Sequence, residues 1–263
     1  MIIFSAQNIE AGYGDKSVVN DVSFQLEQGQ MMGILGANGS GKTTLLKALC
    51  GIIPHKGVSQ LRGEMLEEKK DKELARVCSY IPQRSGISID IPVLDVVLMG
   101  FNPYMKLLQY PDVHMKDKAI GMLKKVGLKG KEDMNYLHLS EGQKQMCVLA
   151  RTLVADCNLL MLDEPESALD FQYRYQMLGL IREWVKENER GAIVTLHDST
   201  LALNYCDKLL LLSEGKVLDV ISPKRDSIEK MEALLSEIYG QVSLQYCKTK
   251  SGINRLVMIK EEE

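Results

Sequence analysis

Short apolar runs alternate with longer segments of helical spacing along most of the chain. The runs predict buried strands, and they are "MMGILG" at 31–36, "RVCSYIPQ" at 76–83, "CNLLMLDEP" at 157–165, "GAIVTLHD" at 191–198 and "KLLLLSEGKVLDV" at 208–220. Helical spacing predicts helices between them, as in "TTLLKALCGII" at 43–53 and "YRYQMLGLIREWVKENER" at 173–190. Because alternating strands and helices build sheets covered on both faces, we expect an α/β fold around a mixed, largely parallel sheet.

The start, the middle and the end of the chain depart from this alternation. Residues 1–30 predict short strands, and the mainly helical stretch from about 84 to 150 predicts an inserted helical subdomain. After residue 221, "DSIEKMEALLSEIYG" predicts a helix and "VSLQYCKTKSGINRLVMIK" a hairpin that turns at 250–252. We therefore expect a main domain over 1–220 and an extension over 221–263.

The composition excludes several classes of protein. Of the 263 residues, 45% are hydrophobic and 25% charged, and the formal net charge of −3 gives no general attraction to nucleic acid or anionic lipid. No apolar run approaches the roughly 20 residues that span a bilayer, and the N-terminus lacks the marks of a signal peptide. Six cysteines without C-x-x-C spacing favour buried free thiols, so we expect a reducing, cytoplasmic setting.

A glycine-rich segment between a predicted strand and a predicted helix points to phosphate binding. "GANGSGKT" at 36–43 fits the pattern G-x-x-x-x-G-K-S/T, in which backbone N–H groups wrap phosphates and the helix N-terminus adds a favourable dipole. The lysine would reach the β- and γ-phosphates, and the hydroxyl that follows it would bind Mg²⁺. The residues expected to contact the phosphates here are Gly36, Asn38, Gly39, Ser40, Gly41, Lys42, Thr43 and Thr44.

Polar residues that follow three other predicted strands supply candidates for catalysis. Asp163 ends an apolar strand at the sheet edge where ligands bind, so it is expected to hold Mg²⁺, and Glu164 is expected to deprotonate an attacking water. His197 follows the strand "IVTL"; a lone histidine there is more often structural, but beside a phosphate loop it could hold the geometry of the water. Gln83 follows another strand and could contact magnesium or the same water.

The segment "LSEGQ" at 139–143 has two interpretations. Ser140 and Gln143 fit a capping box, which predicts a well-capped helix. The same exposed helix N-terminus, with Gly142 beside the serine, is also an anion site. Two such helix ends could grip a single γ-phosphate if two chains packed head to tail.

These motifs resemble those of the ATP-binding cassette (ABC) ATPases, over roughly residues 3–220. Tyr13 matches the aromatic that stacks on adenine, "LSEGQ" the signature loop, "LLMLDE" Walker B, and "SALD" from Ser167 to Asp170 the D-loop. The resemblance implies a P-loop NTPase core with an N-terminal antiparallel β subdomain, and a dimer that sandwiches two ATP molecules. Glu141 replaces a usual glycine, Met146 a frequent arginine and Glu166 a common threonine, which bears on affinity and rate.

Three functions remain open for such a chain: the ATPase subunit of a membrane transporter, a soluble ABC ATPase associated with DNA or ribosomes, and a module that binds nucleotide without hydrolysis. The single cassette and the lack of a basic patch argue against a role on DNA or ribosomes. The presence of both Glu164 and His197 argues against binding without hydrolysis. "PVLDVVLMGFNPY", "SALDFQYRYQ" and "LLSEIYG" are similar to importers of iron chelates, such as siderophore complexes, and of cobalamin. That similarity implies permease subunits as partners, a second copy of the chain, indirectly a substrate-binding protein, no nucleic acid, and a place on the cytoplasmic face of the membrane.

The apolar stretch at 89–105 is a candidate docking surface for the permease. A single helix cannot bury Leu98, Met99, Phe101 and Tyr104 on one narrow stripe, so some of them are expected to be exposed. The alternative is that the stretch is core. Phe101→Asp is then the substitution expected to decide between docking and core.

Overall fold

The computed structural model describes residues 1–83, 86–106, 108–167, 169–187 and 189–261. The strands are β1 (Ile2–Tyr13), β2 (Lys16–Glu27), β3 (Met31–Leu35), β4 (His55–Leu61), β5 (Glu64–Met65), β6 (Cys78–Ile81), β7 (Leu159–Asp163), β8 (Gly191–Thr195), β9 (Lys208–Ser213), β10 (Lys216–Ile221), β11 (Val242–Lys248) and β12 (Asn254–Lys260). The helices are α1 (Lys42–Leu49), α2 (Asp71–Val77), α3 (Val93–Leu98), α4 (Val113–Lys125), α5 (Glu141–Val154), α6 (Phe171–Glu187), α7 (Ser199–Tyr205) and α8 (Ile228–Tyr239).

Two large sheets form the centre of the fold. The first has the order β10-β9-β3-β8-β7-β6, and its strands pair in parallel except at the β9–β10 hairpin. The second is antiparallel, in the order β2-β1-β4-β5. Helix α1 packs between the sheets with buried leucines at 45, 46 and 49. The expected largely parallel sheet and N-terminal antiparallel sheet are both confirmed.

The region between β6 and β7 is helical. Helix α3 continues into a 3-10 turn at Met99–Phe101, and both pack on α5 together with α4. Gly100 allows this close approach, because a Cβ there would lie 2.1 Å from the carbonyl oxygen of Arg151. The buried side chains of α3, α4 and α5 belong to the same core that covers one face of the six-stranded sheet.

The segment after β10 folds back on the six-stranded sheet. Helix α8 is followed by the β11–β12 hairpin, as the sequence predicts for each element. Asn204 fastens the hairpin to α7, because its side chain donates to the carbonyl of Leu256 at 2.7 Å and accepts from the Leu256 N–H at 3.0 Å. The boundary between main domain and extension at residue 220 stays a prediction.

Several elements differ from their sequence predictions. The N-terminal strands β1 and β2 are 12 residues each rather than short, and "KLLLLSEGKVLDV" forms the two strands β9 and β10 instead of one. Strands β4 and β5 and helices α2 and α7 were not predicted, because their segments are polar or short and carry no clear apolar period. Among the described residues, none of the helices combines the length and apolarity that crossing a bilayer requires.

Phe101 does not lie where the docking hypothesis needs it. Its side chain is 7% exposed and belongs to the core, as does that of Leu98 at 5%. Met99 is half-buried, and Tyr104 is 40% exposed with its ring against the guanidinium of Arg76. The expectation that part of the stretch is exposed therefore holds for Tyr104, whereas Phe101→Asp would place a charge in the core.

Candidate nucleotide-binding and hydrolysis site

The glycine-rich loop closes on its own lysine. Lys42 is 5% exposed, and its Nζ donates to the carbonyl oxygens of Gly36 at 2.9 Å and Ala37 at 3.1 Å. Gly41 caps α1 with φ at 102°, a left-handed conformation that L side chains rarely adopt. Burial lowers the pKa of Lys42, and the charges of Glu164 and Asp163 partly oppose that shift. The loop therefore holds a buried ammonium group ready for an anion.

A cavity of about 170 Å³ lies in front of this loop. Its lining residues are Val18, Asn38, Gly39, Gly41, Lys42, Thr43, Thr44 and Glu164. Two predicted contacts, Gly36 and Ser40, lie outside this lining. A Cβ on Gly36 would lie 2.5 Å from the hydroxyl of Ser40, which is buried in the loop. The serine side chain thus fills the turn, and its backbone remains the part available to phosphate.

Asp163 joins three neighbouring elements. Its Oδ1 accepts hydrogen bonds from Thr43 Oγ1 at 3.0 Å and Thr195 Oγ1 at 2.9 Å, and its Oδ2 accepts one from the Tyr80 hydroxyl at 3.2 Å. Tyr80 and Thr195 were missed by the sequence analysis. The pairing of the strands could have identified both residues, because they sit on the strands that flank β7. Thr195 lies directly opposite Asp163, and Tyr80 lies opposite Met161.

Glu164 has a strained backbone conformation, and both oxygens of its carboxylate are in contact with other side chains. Its φ is 49°, which is uncommon for a residue with a side chain, and its N–H donates to Thr195 Oγ1 at 2.8 Å. One carboxylate oxygen accepts from Gln83 Nε2 at 2.7 Å, and the other lies 2.7 Å from His197 Nε2. The structure thus brings together all three predicted catalytic residues at the edge of the phosphate-loop cavity.

The signature segment forms a separate group at the start of α5. Ser140 Oγ accepts from the Gln143 N–H at 3.3 Å, and Gln143 Oε1 accepts from the Ser140 N–H at 3.2 Å, which is the capping box. Gly142 packs against the ring of Tyr173, and Glu141 pairs with Lys144 at 2.7 Å. In the described ranges, no hydrogen bond joins these residues to the phosphate loop.

The remaining predicted contacts lie at the periphery. Tyr13, which is 51% exposed, lines an open cavity of about 570 Å³ formed by the β1–β2 turn and residues 53–56. Asp170 is exposed and accepts from the Tyr173 N–H at 3.0 Å at the start of α6. In the D-loop segment, Ala168 lies outside the described residues.

The oxygen atoms around Asp163 suit a hard divalent cation. The Thr43 hydroxyl and the Asp163 carboxylate already lie within 3.0 Å of each other, and Mg²⁺ is commonly bound by one or two such groups together with phosphate oxygens. The part of the chain that the structure describes holds no group of three or more His, Cys, Asp or Glu residues arranged for a metal ion. The hydroxyl of Thr43 and the carboxylate of Asp163 are ligand types that fit a magnesium ion bound together with phosphate oxygens.

Together, the two-sheet fold and this site define a P-loop ATPase of the cassette type. A family model described as "ABC transporter" matches residues 19–167. The chain belongs to the ABC transporter family and is one of its ATP-binding, ATP-hydrolysing subunits.

Individual relatives agree with this assignment. The hemin import ATP-binding protein HmuV of Vibrio parahaemolyticus is 32% identical over 254 residues, covering 92% of this chain and 93% of that protein. A probable iron chelatin transport ATP-binding protein of Helicobacter pylori is 31% identical over 218 residues, covering 82% and 86%. A solved structure described as an inward-facing transporter of the metal-chelate ABC type superposes with a TM-score of 0.83 over 99% of both chains, at 23% identity.

Proposed function

We propose that this chain binds ATP with Mg²⁺ and hydrolyses it to power an importer of a metal chelate. The observation that carries the hydrolytic part is the Glu164 carboxylate, which Gln83 and His197 contact beside the cavity that Lys42 lines. A carboxylate fixed by two neighbours and placed next to a phosphate site is suited to orient and deprotonate water. Glu164 is therefore proposed to be the residue that activates the attacking water.

Each residue has a separate task in this proposal. Lys42 and the backbone N–H groups of the loop bind the β- and γ-phosphates, and Tyr13 offers its exposed ring to the adenine. Thr43 and Asp163 would hold Mg²⁺, with Gln83 beside them, and the ion when bound neutralises charge on the phosphates. Glu164 takes the proton of the attacking water, and His197 fixes the carboxylate that receives it.

The signature segment is proposed to act on the ATP of a second copy. Ser140, Gly142 and Gln143 form an exposed helix N-terminus of the 14-residue helix α5, which favours an anion, yet they make no hydrogen bond to the phosphate loop of their own chain among the described residues. A head-to-tail dimer would bring this helix end to the γ-phosphate that the partner binds, with Asp170 near the shared boundary. Each hydrolysis site would then need both copies.

The permease is proposed to dock in a groove beside the 3-10 turn. A cavity of about 340 Å³ separates α2 and β6 from the turn and α5, and its lining includes Met99, Gly100, Asn102 and Pro103. Strand β6 on its opposite wall leads directly to Gln83, which contacts Glu164. A helix seated in this groove would touch the same strand that carries a catalytic side chain. The chain would thereby sit on the cytoplasmic face of the membrane.

The cargo is proposed to be an iron chelate, such as a siderophore complex or hemin. The names of the Vibrio and Helicobacter relatives support this class, and so does the resemblance of the segment around 92–104 to chelate importers. A substrate-binding protein would deliver the cargo to the permease. No described residue is assigned to the cargo itself, because the ATPase subunit would not touch it.

Affinity purification from membranes of the native host tests this proposal. The tagged chain should bring along an integral membrane protein, and the purified complex should show higher ATPase activity with a ferric chelate than without it. A gene deletion should abolish uptake of the same labelled chelate. Uptake that continues undiminished for ferric siderophores and hemin would contradict the cargo, whereas recovery with DNA or ribosomes instead of a permease would contradict the transport role.

A further inference from the structure

Glu166 is a buried carboxyl group that the proposed mechanism does not use. Its side chain is only 2% exposed, and it lies three residues after Asp163, the Walker B aspartate. Oε1 accepts a hydrogen bond from the backbone N–H of His197 at 2.9 Å, and Oε2 is buried without a hydrogen-bond partner among the described residues. A buried polar atom left unpaired costs free energy, so its presence beside a hydrolysis site calls for a reason.

The bond from Glu166 completes a reciprocal link between two strand ends. The loop after β7 donates the Glu164 N–H to the Thr195 side chain of β8, at 2.8 Å. The segment after β8 returns the His197 N–H to the Glu166 side chain. Each strand end thus donates a backbone N–H to a side chain on the other strand end. The His197 imidazole in turn contacts the Glu164 carboxylate.

We propose that Glu166 is a positioning residue for hydrolysis, which holds the backbone of His197 so that the imidazole stays against Glu164. The proposal rests on the proposed roles of Glu164 and His197.

The surroundings of Glu166 favour its neutral form. Burial raises the pKa of its carboxyl, the N–H and charge of His197 oppose the shift, and the Glu164 carboxylate adds to it. The titratable groups that face it are Glu164 and His197 on the two strand ends and Cys206 after α7.

Steady-state ATPase kinetics of four variants test the proposal. E166A and E166L remove the acceptor, with E166L keeping most of the side-chain volume, and kcat should fall roughly 10- to 100-fold while the KM for ATP changes less than about threefold. E166Q keeps the acceptor oxygen and cannot ionise, so it should retain kcat within about threefold of wild type. E68Q, an exposed glutamate elsewhere, serves as the control for a lost carboxylate.

A double-mutant cycle with H197A separates positioning from general stability. If Glu166 acts through His197, E166A should change kcat less than about twofold in the H197A background, because coupled residues are not additive. An unchanged kcat in both E166A and E166L, or a full further loss on top of H197A, would overturn the proposal. Normal turnover in H197A itself would instead contradict the role proposed for His197.

Discussion

His197 Nε2 lies 2.7 Å from Glu164 Oε1, so the histidine and the glutamate that follow two neighbouring strands contact each other directly. Strands β7 and β8 are parallel and in register, with Asp163 opposite Thr195, which places both strand ends at one edge of the sheet. Gln83 Nε2 donates to the other oxygen of the same carboxylate, Glu164 Oε2. Three separate segments therefore converge on a single carboxylate.

Lys42→Ala and Ser140→Arg should affect different properties. Removing the buried ammonium should weaken ATP binding to the isolated chain by at least about tenfold, because a charge-assisted contact to phosphate is lost. Ser140→Arg should leave that binding nearly intact and abolish turnover, because the signature segment is proposed to act on the nucleotide bound by a second copy. Equilibrium binding of a fluorescent ATP analogue and ATPase assays measure the two. An equal loss of affinity in both variants would contradict a signature segment that acts in trans.

Tyr80→Phe should raise the Mg²⁺ concentration needed for half-maximal ATPase activity by roughly 10-fold. The substitution removes only the hydroxyl that donates to Asp163 Oδ2, and such supporting contacts are typically worth about 10- to 100-fold. Titration of Mg²⁺ at saturating ATP measures the effect. Tyr246→Phe on the exposed face of β11 is the matched control. An unchanged Mg²⁺ requirement would mean that Asp163 needs no support from β6.

Asn102→Trp should separate docking from hydrolysis, whereas Phe101→Asp should not. Asn102 is exposed and lines the groove, so a large ring there should block a permease helix while melting temperature and basal ATPase stay near wild type. Phe101 is buried, so a carboxylate should cost several kcal/mol and lower stability and ATPase together. Calorimetry, ATPase assays and co-purification of the permease compare the two. Retained permease binding in Asn102→Trp would contradict the groove as the docking site.

Glu166→Gln should stabilise the protein increasingly as the pH rises above about 4.5. The native pKa of Glu166 is raised, so between the unfolded and the native pKa the folded state keeps a proton that the unfolded state has lost. The free energy of unfolding of the wild type therefore decreases as the pH rises between these two pKa values. The glutamine variant does not ionise, so it does not lose this stability. Thermal unfolding followed from pH 4 upward should show a difference from wild type that grows and then levels off once the native Glu166 carboxyl has lost its proton, and no such change for Glu68→Gln. A constant difference would show that Glu166 does not titrate there.

The sequence was sufficient to predict the position of the residues that a local pattern identifies. The phosphate loop, the end of β7 and the capping box at Ser140 are short contiguous signals, and each lies where the pattern predicts. Phe101 could not be placed in this way, because its burial depends on how the 3-10 turn packs against α5. The same is true of Tyr80 and Thr195, whose contacts with Asp163 arise from strand order rather than from neighbours in sequence.

ATP-dependent dimerisation of Glu164→Gln tests the central claim, that two copies hydrolyse ATP at shared sites with this glutamate as the base. The variant should keep Lys42, Thr43 and Asp163 unchanged and so bind MgATP, while its turnover falls about 10²- to 10⁴-fold. Light scattering coupled to size exclusion should then find a monomer without nucleotide and a dimer with MgATP. A monomer under both conditions, together with wild-type turnover, would contradict the account.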